Sequence, residues 1–371
     1  MRTFAILALS LGLVTPAGAA AQALQISNAQ LQTLQLTKRL GDEFRTLAAK
    51  QTAPAWFVYT QPIVDPELSG CCQWSSSSSD GSSCCVGCFL EPSQEEWRNR
   101  QPPPRTGPIP LERAKQFLVL IRVEAQEISR IRTHGIDCPL DAGGLPVFHL
   151  TNVSAADSLA FLESLAATAP TETGDKKENT KKRWHLSAVT SAIAQHADPQ
   201  ADAILERFAA PERPEKVRRD AIFWLARARG ARGFDVVQRA ARQDASINVR
   251  KHAVFALTIT PEPRAVDTLI DLAQRADNPT IRGEALFWLA NKAQKKAIPT
   301  LTRAIESDPD SEVKKRAVFG LSRLPKDEGV PLLIQIARTN TNPVVRKQAM
   351  FWLGQSKDPR AIEFFASVLR N

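Results

Sequence analysis

The residues with the most chemical potential are six cysteines, and five of them fall in one short segment. Cys71, Cys72, Cys84, Cys85 and Cys88 flank a Ser/Gly tract in Gly70-Cys-Cys-Gln-Trp-Ser-Ser-Ser-Ser-Ser-Asp-Gly-Ser-Ser-Cys-Cys-Val-Gly-Cys-Phe89, and Cys138 stands apart. Such a tract cannot bury apolar area, so residues 70–89 are expected to form an exposed loop. An even number of closely spaced cysteines in an oxidising compartment points to disulfides that staple the loop, with Cys138 as the tie to the rest of the unit. The alternative is a soft-metal site, since Cys85-Val-Gly-Cys88 has C-x-x-C spacing and five thiolates lie close together. A thiol-redox motif is the third reading, but no βαβ pattern accompanies the C-x-x-C. His134 and His149, with Asp137 and Asp141 nearby, are further ligand candidates; strand-end histidines facing solvent are the plainer reading. Asp141-Ala-Gly-Gly144 is too short for a phosphate loop. No Ser/His/Asp constellation stands out, no catalytic residue is assigned, and no cofactor is implied.

The second group of chemically capable residues is cationic and periodic. Val217-Arg218, Val249-Arg250, Ile281-Arg282, Val313-Lys314 and Val345-Arg346 recur every 32 residues. At the same interval stand Ala221, Ala253, Ala285, Ala317 and Ala349, then Phe223, Phe255, Phe287, Phe319 and Phe351, then Leu225, Leu257, Leu289, Leu321 and Leu353. A fixed period of this length is the signature of a stacked array. Each unit holds two helices. Helix A starts at Ser246, Asn278, Asp310 or Asn342, with Pro279 and Pro343 in the first turn. Helix B follows Glu262-Pro263 or Asp358-Pro359. A degenerate earlier copy around Asp198-Pro199 brings the count to about six repeats.

The first cation column (Arg218, Arg250, Arg282, Lys314, Arg346) forms either a positive ladder for a partner or a structural ladder of pairs with acids and carbonyls. The neighbouring Arg219, Lys251, Lys315 and Lys347 have no obvious internal partner and are the better candidates for an exposed basic stripe. Trp224, Trp288 and Trp352 alternate with Ala256 and Gly320. At 100° per residue they lie among the apolar columns, so large and small residues are expected to interlock between repeats, with a ligand-facing Trp ladder as the alternative. The Phe column falls between polar columns and is expected to pack between adjacent repeats.

The pattern V-R-x-x-A-x-F-x-L followed by A-[VI]-x-x-L resembles HEAT repeats, in particular the short bacterial kind named after phycobilisome-lyase-like proteins. The resemblance covers residues 185–371 and implies an all-α solenoid used as a scaffold or binding surface. The cysteine-bearing front half is similar to that of secreted bacterial HEAT-repeat proteins. Neither resemblance brings a catalytic motif, and repeat type alone does not fix function.

The elements that must carry these residues divide the chain. Residues 1–23 have an early Arg2, an apolar run from Phe4 to Val14 and the small-x-small site Ala21-Gln22-Ala23, which predicts a cleaved secretory signal. Export to the periplasm or beyond follows, and no later run is long enough to span a bilayer. Residues 24–169 are expected to form a small α+β domain. It would have a helix over 27–51, strands at 56–60 and 145–150, a hairpin of 117–123 with 127–133, and a helix capped by Ser154. Residues 170–184 form a polar linker, and 185–371 the solenoid. The chain's formal charge of +9 is uneven: residues 24–180 hold 14 basic and 18 acidic side chains, a net −4, and residues 181–371 hold 33 and 21, a net +12. A basic array calls for an acidic protein partner, or a phosphate-bearing envelope surface. Nucleic acid is not expected in an exported protein.

Overall fold

The computed structural model describes residues 24–68, 70, 89–91, 114–167 and 176–370. The expected signal segment and the five clustered cysteines lie outside them. The front unit is a five-stranded sheet, built from β2 (Gln30–Gln35), β3 (Ala55–Pro62), β4 (Gln116–Glu124), β5 (Glu127–Gly135) and β7 (Pro146–Thr151), in the order β2-β7-β3-β4-β5. β2 and β3 each run parallel to β7, and β3-β4-β5 is an antiparallel meander. Two short strands, β1 (Ile26–Ser27) and β6 (Leu140–Asp141), pair separately. The expected 117–133 hairpin forms through Ala125 and Gln126, at φ 49° and 67°, the left-handed conformation a two-residue turn requires.

The opening helix is shorter than its apolar spacing predicts. Residues 30–35, Gln-Leu-Gln-Thr-Leu-Gln, form the edge strand β2; only Leu40–Ala48 is helical (α1), where Leu40, Phe44 and Ala48 recur every four residues and are buried. Leu31 and Leu34, which fit the helical pattern, belong to the strand. α2 (Ala155–Ala167) begins as its sequence predicts, with the Ser154 hydroxyl accepting from the Asp157 amide at 3.0 Å.

Period two sorts the central strands between two cores. Phe57, Tyr59, Phe117, Val119 and Ile121 face α1 and α2, while Trp56, Val58, Leu118 and Leu120 face Leu90, Cys138 and Leu140. Covered on both faces, β3 and β4 read as unbroken apolar runs.

The stretch expected as a linker is helical from Lys176: α3 (Lys176–Gln195) carries the chain into the array without a break. Five further A helices follow, α5 (Glu215–Ala228), α7 (Ile247–Ile259), α9 (Pro279–Ala293), α11 (Ser311–Ser322) and α13 (Pro343–Ser356). The B helices are α4 (Gln200–Phe208), α6 (Gly230–Gln243), α8 (Ala265–Arg275), α10 (Ile298–Ser307), α12 (Lys326–Thr339) and α14 (Pro359–Leu369). With α3 as the first A helix, these make six hairpins. Ser246, Asn278, Asp310 and Asn342 each cap their A helix by accepting a backbone N–H, and Pro279 and Pro343 occupy its first turn. The Ala column is wholly buried and the Leu column almost so. No described helix is long and apolar enough to cross a membrane.

Sheet and array share one core, joined at residues 195–197. The Val64 amide donates to the Gln195 carbonyl at 2.8 Å, and the Ala197 amide to Pro62 at 2.9 Å. His196, fully buried, donates from Nδ1 to the Ala192 carbonyl (2.7 Å), which leaves Nε2 to accept from the Ser158 hydroxyl (2.8 Å). Ser158 Oγ lies 3.0 Å from the Tyr59 hydroxyl, so α2, β3 and the start of the array meet in one buried polar chain.

Burial drives His196 down to about 4, and His134, buried on β5, to about 4 as well. An unfolded histidine takes up its proton near pH 6.5, whereas these do so only near pH 4. Between those values the unfolded state binds more protons, so stability falls as the pH drops, by about 3 kcal/mol for each histidine at the lower end. Denaturant unfolding followed by circular dichroism at pH 7, 5.5 and 4 should show this loss. His196→Gln should flatten the pH slope by roughly half, even if it lowers stability at pH 7.

Candidate interaction surface

The two cation columns on the A helices have different environments. Arg218 is buried; it donates to Asp244 at 3.0 Å and to the Pro211 and Arg213 carbonyls. Arg250 pairs with Asp277 at 2.6 Å and donates to the Ala241 carbonyl; Arg282 pairs with Asp308 at 2.8 Å and donates to Ala276. Lys314 donates to the Glu306 carbonyl at 3.0 Å, and Arg346 to Asn340 and Thr341 at 2.8 and 3.1 Å. The logic repeats. From Arg250 onward, each cation reaches back to a carbonyl at or near the C-terminal end of the preceding B helix, groups that have no partner inside that helix. Arg218, Arg250 and Arg282 also reach forward to an aspartate just beyond their own repeat's B helix. Asp308 beside Arg282 raises the guanidinium pKa further, and Arg250 holds the Asp277 carboxyl below its ordinary range. The first column is therefore inside the repeat junctions, with its hydrogen-bonding capacity used there.

The second column faces outward. Arg219 and Lys347 are exposed, and neither has an ion pair among the described residues; Lys251 and Lys315 are half-buried. Lys251 lies 3.7 Å from Glu284, which Arg316 also approaches at 3.9 Å, and Lys315 pairs with Glu312 at 2.5 Å. The third copy has Gly283 at this position, where a Cβ would stand 3.1 Å from the Arg316 side chain. The stripe is thus partly neutralised at its centre and fully cationic at its ends. Exposed pairs of this kind add little stability.

Beside the second column, four positions on along each A helix, runs a line of aromatic rings. Phe255 meets Trp288 at 5.0 Å, Trp288 meets Phe287 at 4.8 Å, and Phe287 stacks on Phe319 at 5.4 Å. Phe319 stacks on Trp352 at 4.6 Å, and Trp352 meets Phe351 edge-on at 4.9 Å. Trp288 and Trp352 each cover the Phe of the repeat before; where the Trp position holds Gly320, the two Phe rings stack directly. Gly320 has a reason of its own, since a Cβ there would stand 2.6 Å from Leu301. Large and small residues therefore interlock, but the rings are half-buried rather than sealed in the core. Beside Phe319 and Trp352 a cleft of about 190 Å³ opens, with Arg323, Lys326 and Gln355 on its wall.

The front unit's candidate ligands do not converge. His134 on β5 and His149 on β7 are separated by β3 and β4, which places them roughly 14 Å apart at ordinary strand spacing. His134 is buried with Nδ1 3.4 Å from the Gly70 carbonyl, and Asp141 accepts from Asn28 and from the Gly143 amide. Among the described residues no group of His, Cys, Asp and Glu is arranged to hold a metal. Cys138 is fully buried beside Leu90 and Leu140 and is disulfide-bonded. Glu91, which sequence spacing did not single out, accepts from the Trp56 indole at 2.8 Å and Arg122 at 2.7 Å; Arg130 and Arg132 donate to the Leu90 and Phe89 carbonyls. Phe89–Glu91, directly after the cysteine segment, is thereby fixed to the sheet face that carries Cys138.

With the repeat geometry established, the comparisons with known proteins follow. The family model described as HEAT repeats matches residues 201–290, 266–350 and 298–371. Residues 201–371 thus form a HEAT-like solenoid. No match is found among curated proteins. Among solved structures, human deoxyhypusine hydroxylase in complex with glycerol is similar at 14% identity and a TM-score of 0.29, over 56% of this chain and 81% of that one. An engineered protein is similar at 21% identity and a TM-score of 0.30, over 56% and 96%. The complex of CpcE and CpcF of phycocyanin lyase from Nostoc sp. PCC7120 gives 17% identity and a TM-score of 0.30, over 55% and 80%.

The junction cations should behave as structural residues. Arg282→Ala leaves Asp308 without its partner in a half-buried site and should lower stability by about 3 kcal/mol. Lys347→Ala should change it by less than about 0.5 kcal/mol. Denaturant melts of the two variants against the wild-type chain check the contrast.

Proposed function

We propose that this protein is an exported interaction scaffold whose HEAT array binds an acidic protein through the A-helix face. One observation carries this reading. Exposed Arg219 and Lys347, with half-buried Lys251 and Lys315 between them, flank a row of half-buried aromatic rings, the pairing of apolar area with peripheral charge found at protein interfaces. The rings supply burial and the cations supply steering and selection against basic surfaces. Residues 1–23 would deliver the chain to the periplasm or outside the cell. There the cysteine segment would be stapled by disulfides, one through Cys138, and the front unit would hold the array in place. A phosphate-bearing envelope surface would engage the cations but leave the rings unused, which is why an acidic protein is preferred.

Capture from a periplasmic extract with the exported chain should yield an acidic protein, whose affinity is then measured by titration. That affinity should fall at least about tenfold between 0.05 and 0.3 M salt. The combined change Lys251→Glu, Lys315→Glu, Lys347→Glu should weaken it by a further order of magnitude or more. An unchanged affinity in the triple variant would reduce the stripe to a solvated face and sink the proposal.

A further inference from the structure

The cleft beside Phe319 and Trp352 lies where one register of the array leaves out a side chain that earlier copies supply. Two periods before it, Phe255, Leu269 and Trp288 stand where Phe319, Leu333 and Trp352 line the cleft. There Lys292 reaches back across the junction, and its ammonium donates to the Thr258 and Thr260 carbonyls at 2.8 and 3.2 Å. One period on, the same register holds Leu324, which is 5% exposed. One period further it holds Ser356, whose hydroxyl donates to the Leu353 carbonyl of its own helix at 2.7 Å. Serine is too short to cross the junction, and about 190 Å³ is left open among the apolar walls. The opening is therefore set by Ser356 within the junction, since its earlier counterpart is closed by a residue of the same register.

The rim changes together with the missing side chain. Where the earlier junction has Ile259 and Glu262, the cleft has Arg323 and Lys326, both exposed and neither in an ion pair among the described residues. Asp358, close enough to feel the Lys326 charge, has both carboxylate oxygens engaged by Arg360. An ammonium entering here as Lys292 does in its own junction would meet two unpaired cations. An aliphatic chain like that of Leu324 matches the walls instead, and carboxylates beside it match the rim.

From this we infer that the cleft is the anchor pocket for an acidic partner protein. It takes one leucine-sized aliphatic side chain, and Arg323 and Lys326 hold carboxylates on the residues next to it. The inference rests on the scaffold reading and deepens it, by naming where the partner's apolar anchor enters. A preformed apolar pocket with charge at its edge concentrates binding in one inserted side chain and excludes partners whose flanking residues are basic.

The test uses the full chain labelled with fluorotryptophan and the peptide acetyl-Asp-Glu-Leu-Glu-Asp-amide, followed by fluorine NMR. Trp352→Phe assigns the Trp352 line, which the peptide should shift saturably. Replacing the peptide's leucine by serine should weaken binding at least about tenfold, and so should Arg323→Gln combined with Lys326→Gln in the protein. Ser356→Leu fills the cleft from within and should abolish the shift while the thermal midpoint stays the same or rises. The rim variant, at exposed positions, keeps the test decisive if the filled variant is less stable. Lys251→Glu, two repeats away on the lateral stripe, should leave binding unchanged, so that failure of the cleft is read apart from failure of the stripe. No saturable shift, or one that persists in Ser356→Leu, overturns the inference. So does equal or tighter binding of acetyl-Lys-Lys-Leu-Lys-Lys-amide, because the rim would then select no acid.

Discussion

Everything in the array depends on a hairpin's inability to bury its own apolar surface. Two amphipathic helices cover each other on one side only, so the Val, Ala and Leu columns must find their remaining neighbours in the next hairpin. The fixed 32-residue period meets this need, because it returns the same side chains to the same azimuth at every step and lets one junction serve as the template for all. The core then extends without interruption from the sheet to Phe364. Where the template begins it fails, and something else must supply the cover. There the sheet and α2 pack against α3 and supply it.

The junction also explains why arginine dominates the first cation column. One guanidinium must satisfy a carbonyl behind it and a carboxylate ahead of it, in directions fixed by two different repeats. A planar fork with several donors can do this, and an ammonium group on a flexible stem does so less well. Arg282 illustrates the point, with separate nitrogens engaging Asp308 and the Ala276 carbonyl. Lys314 makes only the backward contact. Charge committed in this way is not available to a partner, so the array's net +12 overstates the field it presents. Of the two A-helix columns only the second has charge to offer, and even there Glu284 and Glu312 take part of it.

The repeat was legible in the sequence because stacking imposes the same residue types at a constant interval, and five copies average out local irregularity. Caps at Ser246, Asn278, Asp310 and Asn342 were legible for a local reason, since each side chain serves an N–H two or three residues on. The opening segment was not, because Leu31, Leu34, Leu36 and Leu40 fit a helix as well as they fit a strand followed by a helix; pairing with β7, more than a hundred residues away, settles the matter. The same holds at 176–184, where charge suggests a linker but the chain is drawn into the first A helix. For the surface, the sequence shows which cations recur but not which recurring acid lies opposite. Arg250 and Lys251 are adjacent, yet one enters a junction through Asp277 and the other faces Glu284, and neither acid is marked by the repeat.

The buried chain of Tyr59, Ser158 and His196 gives the front unit a structural role in the array, whatever its cysteines do. Its members come from β3, α2 and the residue just after α3, and its Ser158–His196 bond is made only when sheet and array are docked. Buried polar groups without partners are costly, and a sheet docked out of register would leave Ser158 and His196 Nε2 unpaired. Gln195 adds a bond to Thr133, and Arg229 donates to the His196 carbonyl from the second repeat. The front unit is thus the N-terminal cap of the solenoid as well as the carrier of the cysteine segment. The two are joined by this polar contact and by the apolar core that they share.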